Sequence, residues 1–293
     1  MYEVESFFLV DVFGAEPFSG NPLAVVIGAA EFTVEQMQNI TRWLNHSETA
    51  FVSPATDPAA DYRVRIFTLE REMPFAGHPT LGSCHAWLAA GGNSRREAEI
   101  IQECGAGLVT VRKSDQQLEF AAPPLLRSGA VDEEKLEEVC SFLCIDRGDL
   151  VDAAWADNGP GWVVLLLRSA ASVLSLNPKR SYPTRLDVGV VGPYPTGSQA
   201  AFELRAFFTD HQGIVREDPV TGSLNASVAQ WLFSTARAAG HYVATQGTAL
   251  GRRGRIHLTQ DAAGQVWVGG KTTTMFSGQL TESVRSSFFA LRA

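Results

Sequence analysis

The sequence predicts an α+β protein made of two similar domains, and three observations lead to that prediction. A strand-to-helix junction occurs twice, as Glu72-Met73-Pro74-Phe75-Ala76-Gly77-His78 and as Glu217-Asp218-Pro219-Val220-Thr221-Gly222-Ser223, both reading E-x-P-x-[small]-G-[polar]. Each copy follows an alternating apolar/polar strand and opens an apolar stripe at helical spacing, Leu81, Cys84 and Leu88 in the first and Leu224, Val228, Trp231 and Leu232 in the second. The elements also come in the same order in the two halves. A chain of 293 residues is long enough for each half to bury its own core.

Composition narrows the class. Hydrophobic residues at 45% and charged residues at 19% are those of a globular protein. A formal charge of -8 argues against a nucleic-acid surface, which needs concentrated Lys and Arg, but leaves room for a small neutral or anionic ligand held by local donors. Met1-Tyr2-Glu3-Val4-Glu5 lacks the basic flank and apolar core of a signal peptide, and no apolar run reaches spanning length, so a cytoplasmic protein with no membrane partner is expected. Cys84, Cys104, Cys140 and Cys144 form no C-x-x-C pair and have no His at ligand spacing. They read as reduced structural thiols, with Cys140 and Cys144 filling core positions, and no metal site is expected.

Taken in order, residues 6–13 and 23–27 read as strands joined at Gly20-Asn21-Pro22. Thr33-Val34-Glu35-Gln36 is a capping box, and the helix it opens stops near Asn45. Glu48 then stands between this helix and the strand 49–52. Tyr62, Val64 and Ile66 alternate with Arg63 and Arg65 and run into the first junction, where Pro79 suits a first-turn position because its missing N–H is not needed. That helix ends at Gly91-Gly92. Strands follow at 99–104, 107–112 and 117–120, with turns at Gly105 and Ser114-Asp115. Pro123-Pro124 closes the first half. The second half offers a helix from Asp132, an apolar strand from Trp162 after Asn158-Gly159-Pro160, a short helix from Ser169, a buried strand 186–191, and Phe202, Leu204, Ala206 and Phe208 alternating into the second junction. Strands near Ile256, Val266 and Thr273 complete it. The expected domains are 1–124, with 280–293 returning to it, and 125–279.

A helix N-terminus leaves N–H groups unpaired and carries partial positive charge, which suits a carboxylate or phosphate. Taken singly, Gly77 and Gly222 would only end strands and Ser223 would only cap its helix. Capping alone does not require the whole motif twice, so the repetition favours a pair of anion-binding starts. Neither a P-loop nor a dinucleotide fingerprint is present, and Ser47 and Ser223 lie in no G-x-S-x-G elbow. No cofactor is expected. His46, His85, His211, His241 and His257 are scattered without ligand spacing and read as structural or surface residues.

Asn21-Pro22-Leu23-Ala24-Val25-Val26, Asn45-His46-Ser47-Glu48-Thr49-Ala50-Phe51, Pro74-Phe75-Ala76-Gly77-His78-Pro79-Thr80 and the second junction together resemble the PhzF family, named for a phenazine-biosynthesis isomerase. The resemblance covers nearly the whole chain. It implies the diaminopimelate-epimerase-like fold, two domains that are each a mixed strand barrel or cone around a central helix with the active site between them, and it implies a homodimer. Residue by residue, it puts the catalytic acid/base on Glu48 and substrate-contacting groups on His78, Asp218 and Ser223, with the helix-start residues Gly77 and Gly222 beside them. Without it, Glu48 reads as a surface residue at a turn, His78 as a helix-start residue bonded to backbone, and Asp218 as a turn residue before Pro219. The related epimerases carry a cysteine immediately before each junction glycine. Ala76 and Thr221 stand there, which removes two-thiol racemisation. The chain departs from the family at Gly251-Arg252-Arg253-Gly254, Leu69 and His46. The expected function is a cofactor-independent isomerase that shifts a proton on a small carboxylate-bearing substrate with one carboxylate, and the alternative is a non-catalytic small-acid-binding protein of the same fold.

Overall fold

The computed structural model describes residues 6–114 and 117–284. Met1–Glu5, Asp115 of the expected turn and the end of the 280–293 tail lie outside the described residues. The chain divides into two compact units. The first holds the described residues of Met1–Val12, Pro22–Phe120 and Lys271–Ala293, and the second holds Phe13–Asn21 and Ala121–Gly270. The expectation from turns alone put one division at Pro124.

The first unit contains β1 (Ser6–Val12), β2 (Asn21–Ile27), α1 (Val34–Leu44), β3 (Glu48–Ser53), β4 (Tyr62–Thr68), β5 (Glu72–Met73), α2 (Gly77–Ala89), β6 (Glu99–Cys104), β7 (Gly107–Ser114) and β8 (Gln117–Ala121), and it receives the last strand, β18 (Thr272–Gln279). The β2–α1–β3 crossover makes a parallel pair, as a helical connection allows. Next, β4 runs antiparallel to β3 and β5 and parallel to β6, and β6, β7 and β8 form a meander. The capping box at Thr33 closes in both directions with Gln36, and the helix stops at Asn45, whose φ of 56° turns the chain out. Phe32, Phe51 and Phe67 meet edge to face with Met37 and Val26 to form one core.

Helix α2 is buried along most of its length and touches β1, β3, β6 and β18, so it lies inside a wall of strands rather than on a surface. Leu81 and Cys84 are fully buried, as the helical stripe predicts. The deepest residue of the last turn is Trp87, stacked on Tyr62 with ring centroids 5.1 Å apart, in place of the expected Leu88. Pro79 falls on the third helical residue, which is equally free of a hydrogen-bond demand.

The second unit contains β9 (Arg127–Ala130), α3 (Glu133–Leu143), β10 (Leu150–Asp157), β11 (Val163–Leu167), α4 (Ala170–Leu174), β12 (Asp187–Pro193), β13 (Phe202–Thr209), β14 (Val215–Asp218), α5 (Gly222–Ser234), β15 (His241–Gln246), β16 (Gly254–Gln260) and β17 (Val266–Gly270). Its pairings repeat those of the first unit. The β11–α4–β12 crossover gives a parallel pair, β13 is antiparallel to β12 and β14 and parallel to β15, and β16 and β17 continue the meander. Gly77 and Gly222 each open a helix of 13 residues. The fold is therefore a duplicated α+β architecture, each copy organised around a buried helix.

Two strands close this plan in a way the sequence does not advertise. The pairing partner of β1 is β18 from the chain's end, and that of β10 is β9, which directly follows the first unit's meander. Strands β9, β10 and β15 have no counterpart among the expected elements: β9 is short and wholly exposed, and β10 breaks its apolar run with two aspartates. Helix α3 is an addition to the second copy, with Leu136, Val139, Phe142 and Leu143 packed on β11 and β12 residues. Cys140 is buried in that packing. Cys144, expected in the core, is exposed because it is the left-handed cap that ends α3, at φ 58°. Among the described residues, no helix is long and apolar enough to cross a membrane.

Candidate active site

The first half-site forms where β3 begins and α2 begins. Glu48 is the first residue of β3, and His78 is the second residue of α2. The side chains meet with Glu48 Oε2 3.6 Å from His78 Nε2, just beyond hydrogen-bond length, with 20% of Glu48 and 4% of His78 exposed. Glu48 Oε2 is buried and accepts no hydrogen bond. Burial pushes the Glu48 carboxyl above its ordinary range, and a hydrogen bond from Ser47 opposes this in part. At the start of α2 no side chain caps the helix.

The second half-site is the same junction in the other copy. Helix α5 also starts without a side-chain cap: the Thr221 hydroxyl donates to Asp218 Oδ2 and accepts from Gln246 Nε2 instead of accepting from a helix N–H. Asp218 Oδ1 accepts from Asn21 Nδ2, which also donates to the Val220 carbonyl. Gln246 ties the turn together. Its Oε1 accepts from the Thr221 N–H and Asn225 Nδ2, and its Nε2 donates to the Asp218 carbonyl and the Thr221 hydroxyl. Gln246 is fully buried, so these bonds have no competition from water. Ser223 follows Gly222 in the first turn, where its hydroxyl accepts from Trp162 Nε1 at 3.2 Å and its carbonyl from Asn158 Nδ2 at 3.0 Å.

The structure thus brings Glu48 to His78 within one unit and Asp218 to Thr221, two residues before Ser223, within the other. Sequence reasoning missed Gln246, Trp162 and the structural counterpart of Glu48. Glu48 pairs in register with Thr68, three residues after Arg65, and Asp187 pairs with Phe208, three residues after Arg205. Both Arg65 and Arg205 bond the junction glutamate, Glu72 and Glu217, so the register is common and Asp187 stands where Glu48 stands. A bidentate bond from Arg185 holds Asp187, although burial raises its carboxyl. The shared R-x-F before E-x-P was the available signal. Among the described residues, no group of three or more His, Cys, Asp or Glu side chains is arranged to hold a metal ion.

Comparison with known proteins agrees with this plan. The profile of the PhzC-PhzF family, described as phenazine biosynthesis-like protein, matches residues 10–278. The chain is 34% identical to antisense-enhancing sequence 1 of Schizosaccharomyces pombe, over 94% of this chain and 98% of that one. It is 29% identical to a trans-2,3-dihydro-3-hydroxyanthranilate isomerase of Pseudomonas aeruginosa, over 88% and 91% of the two chains. A PhzF-family structure from Bacillus anthracis superposes with a TM-score of 0.79 at 20% identity, covering 95% of this chain and 99% of that one. A structure described as a probable proline racemase from Agrobacterium radiobacter shares the fold, at a TM-score of 0.58 and 14% identity over 95% and 93%. With the family profile spanning both junctions and this fold beneath it, the chain belongs to the phenazine biosynthesis-like, PhzC-PhzF, family of isomerases.

Proposed function

We propose that this isomerase shifts a proton on a small carboxylate-bearing molecule, with Glu48 acting first as base and then as acid. The observation that supports this most directly is the Glu48 carboxyl: one oxygen buried and free of hydrogen bonds, its pKa raised by burial, and His78 3.6 Å away. An ordinary Glu, with a pKa of about 4.3, is a weak base near neutrality, and raising it improves the match to a carbon acid. Glu48 takes a proton from one carbon, the electron pair moves into the adjacent double bond, and the protonated carboxyl returns the proton at the far carbon. This cycle balances without a cofactor. His78 serves as donor or relay beside it. The uncapped helix starts at Gly77 and Gly222, with Ser223 and Asp218, are proposed to hold a substrate's polar groups. The related Pseudomonas aeruginosa enzyme is named for an amino- and hydroxy-substituted ring acid, so cyclic amino acids of that kind are the first substrates to try.

The test is proton exchange in deuterium oxide with a panel of cyclic and amino carboxylic acids that includes trans-2,3-dihydro-3-hydroxyanthranilate. A substrate should gain one deuteron at carbon with the wild-type protein. With Glu48→Gln, exchange should fall by about 10²–10⁴-fold while binding persists, because the amide keeps the shape and cannot take the proton. Wild-type binding with no exchange would identify a small-acid-binding protein instead. Unchanged exchange in Glu48→Gln would remove Glu48 from the reaction.

A further inference from the structure

We propose that Trp162 is a positioning residue that biases the Ser223 hydroxyl toward donating, so that Ser223 receives a carboxylate oxygen in preference to an ammonium. This rests on the small-acid reading above and names the end of the ligand that the second half-site takes.

A serine hydroxyl has one proton to give and two lone pairs to offer, and it can turn to meet either a donor or an acceptor. At Ser223 that freedom is reduced. Trp162 Nε1 donates to Ser223 Oγ at 3.2 Å, from an indole only 3% exposed, so one lone pair is taken by a donor that has no lone pair to give back. No described residue accepts the Ser223 proton. The remaining O–H is polarised by the incoming bond and is available to an acceptor.

The indole is held from behind. The Asp157 carboxylate accepts from the Gly159 and Gly161 N–H groups, both at 2.7 Å, and the Trp162 carbonyl accepts from the Ala156 N–H. Gly159 and Gly161 lie at φ of 143° and 107°, a region that disfavours side chains, so the loop has a fixed path. Asn158 in the same loop fixes the Ser223 carbonyl. The duplication supplies an internal control. In register, Trp162 corresponds to Leu23, one residue before the strand pairs Ala24 with Thr49 and Val163 with Val188. Leu23 is fully buried, so an apolar side chain alone satisfies packing at that position. The copy that needs an N–H is the one whose helix starts Gly222-Ser223.

The experiment has two arms. In the ligand-free, ¹⁵N-labelled protein, Ser223→Ala should move the Trp162 indole N–H resonance and speed its exchange with solvent, a measurement that needs no change at Trp162. In calorimetric titrations, anthranilate should bind and 2-aminobenzylamine, with an ammonium in place of the carboxylate, should not. Ser223→Ala should weaken anthranilate by roughly tenfold to a hundredfold, the loss of one hydrogen bond to a charged group. Trp162→Phe should weaken it by about threefold to tenfold, and the double variant should bind no more weakly than Ser223→Ala alone, because Trp162 acts through Ser223. An unmoved indole resonance overturns the inference, as does a Trp162→Phe loss that persists in full in the Ser223→Ala background, or stronger binding of the ammonium probe. Failure of the wild type to bind any acid in the wider panel would instead count against the small-acid reading, with the indole measurement still deciding whether Trp162 holds Ser223.

Discussion

The same ion pair occurs once in each copy of the fold, and its two settings give a quantitative test of the packing that carries the second junction. Arg205 on β13 makes a bidentate bond to Glu217 on β14, one residue before Asp218, with side-chain exposures of 7% and 13%. Its remaining nitrogen donates to the carbonyls of Val173 and Leu176 at the end of α4, and its guanidinium lies over Phe207. In the first copy Arg65 bonds Glu72 in the same bidentate way over Phe67, but with exposures of 24% and 38%. Arg205→Ala leaves a buried carboxylate without its partner, which costs about 3–5 kcal/mol. Two buried carbonyls also lose a donor, at about 1 kcal/mol each. Arg65→Ala removes a pair that water already screens, for about 0–1 kcal/mol. The expected gap is therefore about 4 kcal/mol or more. At about 2–4 °C per kcal/mol for a unit of this size, Arg205→Ala should lower the melting temperature by roughly 10–28 °C and Arg65→Ala by under about 4 °C. Urea unfolding of both variants beside the wild type measures it. Losses equal to within about 1 kcal/mol would refute the claim that burial separates the two pairs.

Three further outcomes follow. Glu48 has a folded pKa above its unfolded value, so the native state binds the extra proton and stability falls as pH rises from about 4 through the folded pKa. Glu48→Gln removes this term, and its stability relative to wild type should increase across that window and then level off; a flat difference between pH 4 and pH 8 would contradict the raised pKa. Iodoacetamide should label exposed Cys144 first and Cys84 last, since Cys84 is fully buried and its thiol is pushed up to about 12, and early loss of the Cys84 thiol in peptide mapping would contradict its place in α2. Gln246→Glu keeps the acceptor for Thr221 and Asn225 but loses both donors. It should destabilise by about 2–4 kcal/mol at neutral pH and by less at pH 5, where a protonated Glu can donate again, and equal losses at the two pH values would show that the donated bonds do not matter.

Much of this molecule was legible in the chain itself, because local chemistry dictates local structure. The capping box at Thr33, the alternation of β4, the buried stripe Leu224, Val228, Trp231 and Leu232, and the duplicated junction are periodicities and caps that act over a few residues. The repeat of E-x-P-x-[small]-G carried the duplication and the two uncapped helix starts. What required the tertiary structure were relations between distant residues. Glu48 and His78 are 30 positions apart in sequence yet 3.6 Å apart in space, because β3 and α2 begin side by side. The rise of the Glu48 pKa is a property of burial, which no residue type announces. Strand β9 was hidden, and the strand near Thr273, expected to complete the second copy, is β18 of the first; each closes the copy that does not contain the strand before it, a pairing that local propensity cannot encode. The same holds for Trp162: its sequence says only that a large apolar residue enters a strand, and the fold alone decides that its N–H ends on the hydroxyl of Ser223.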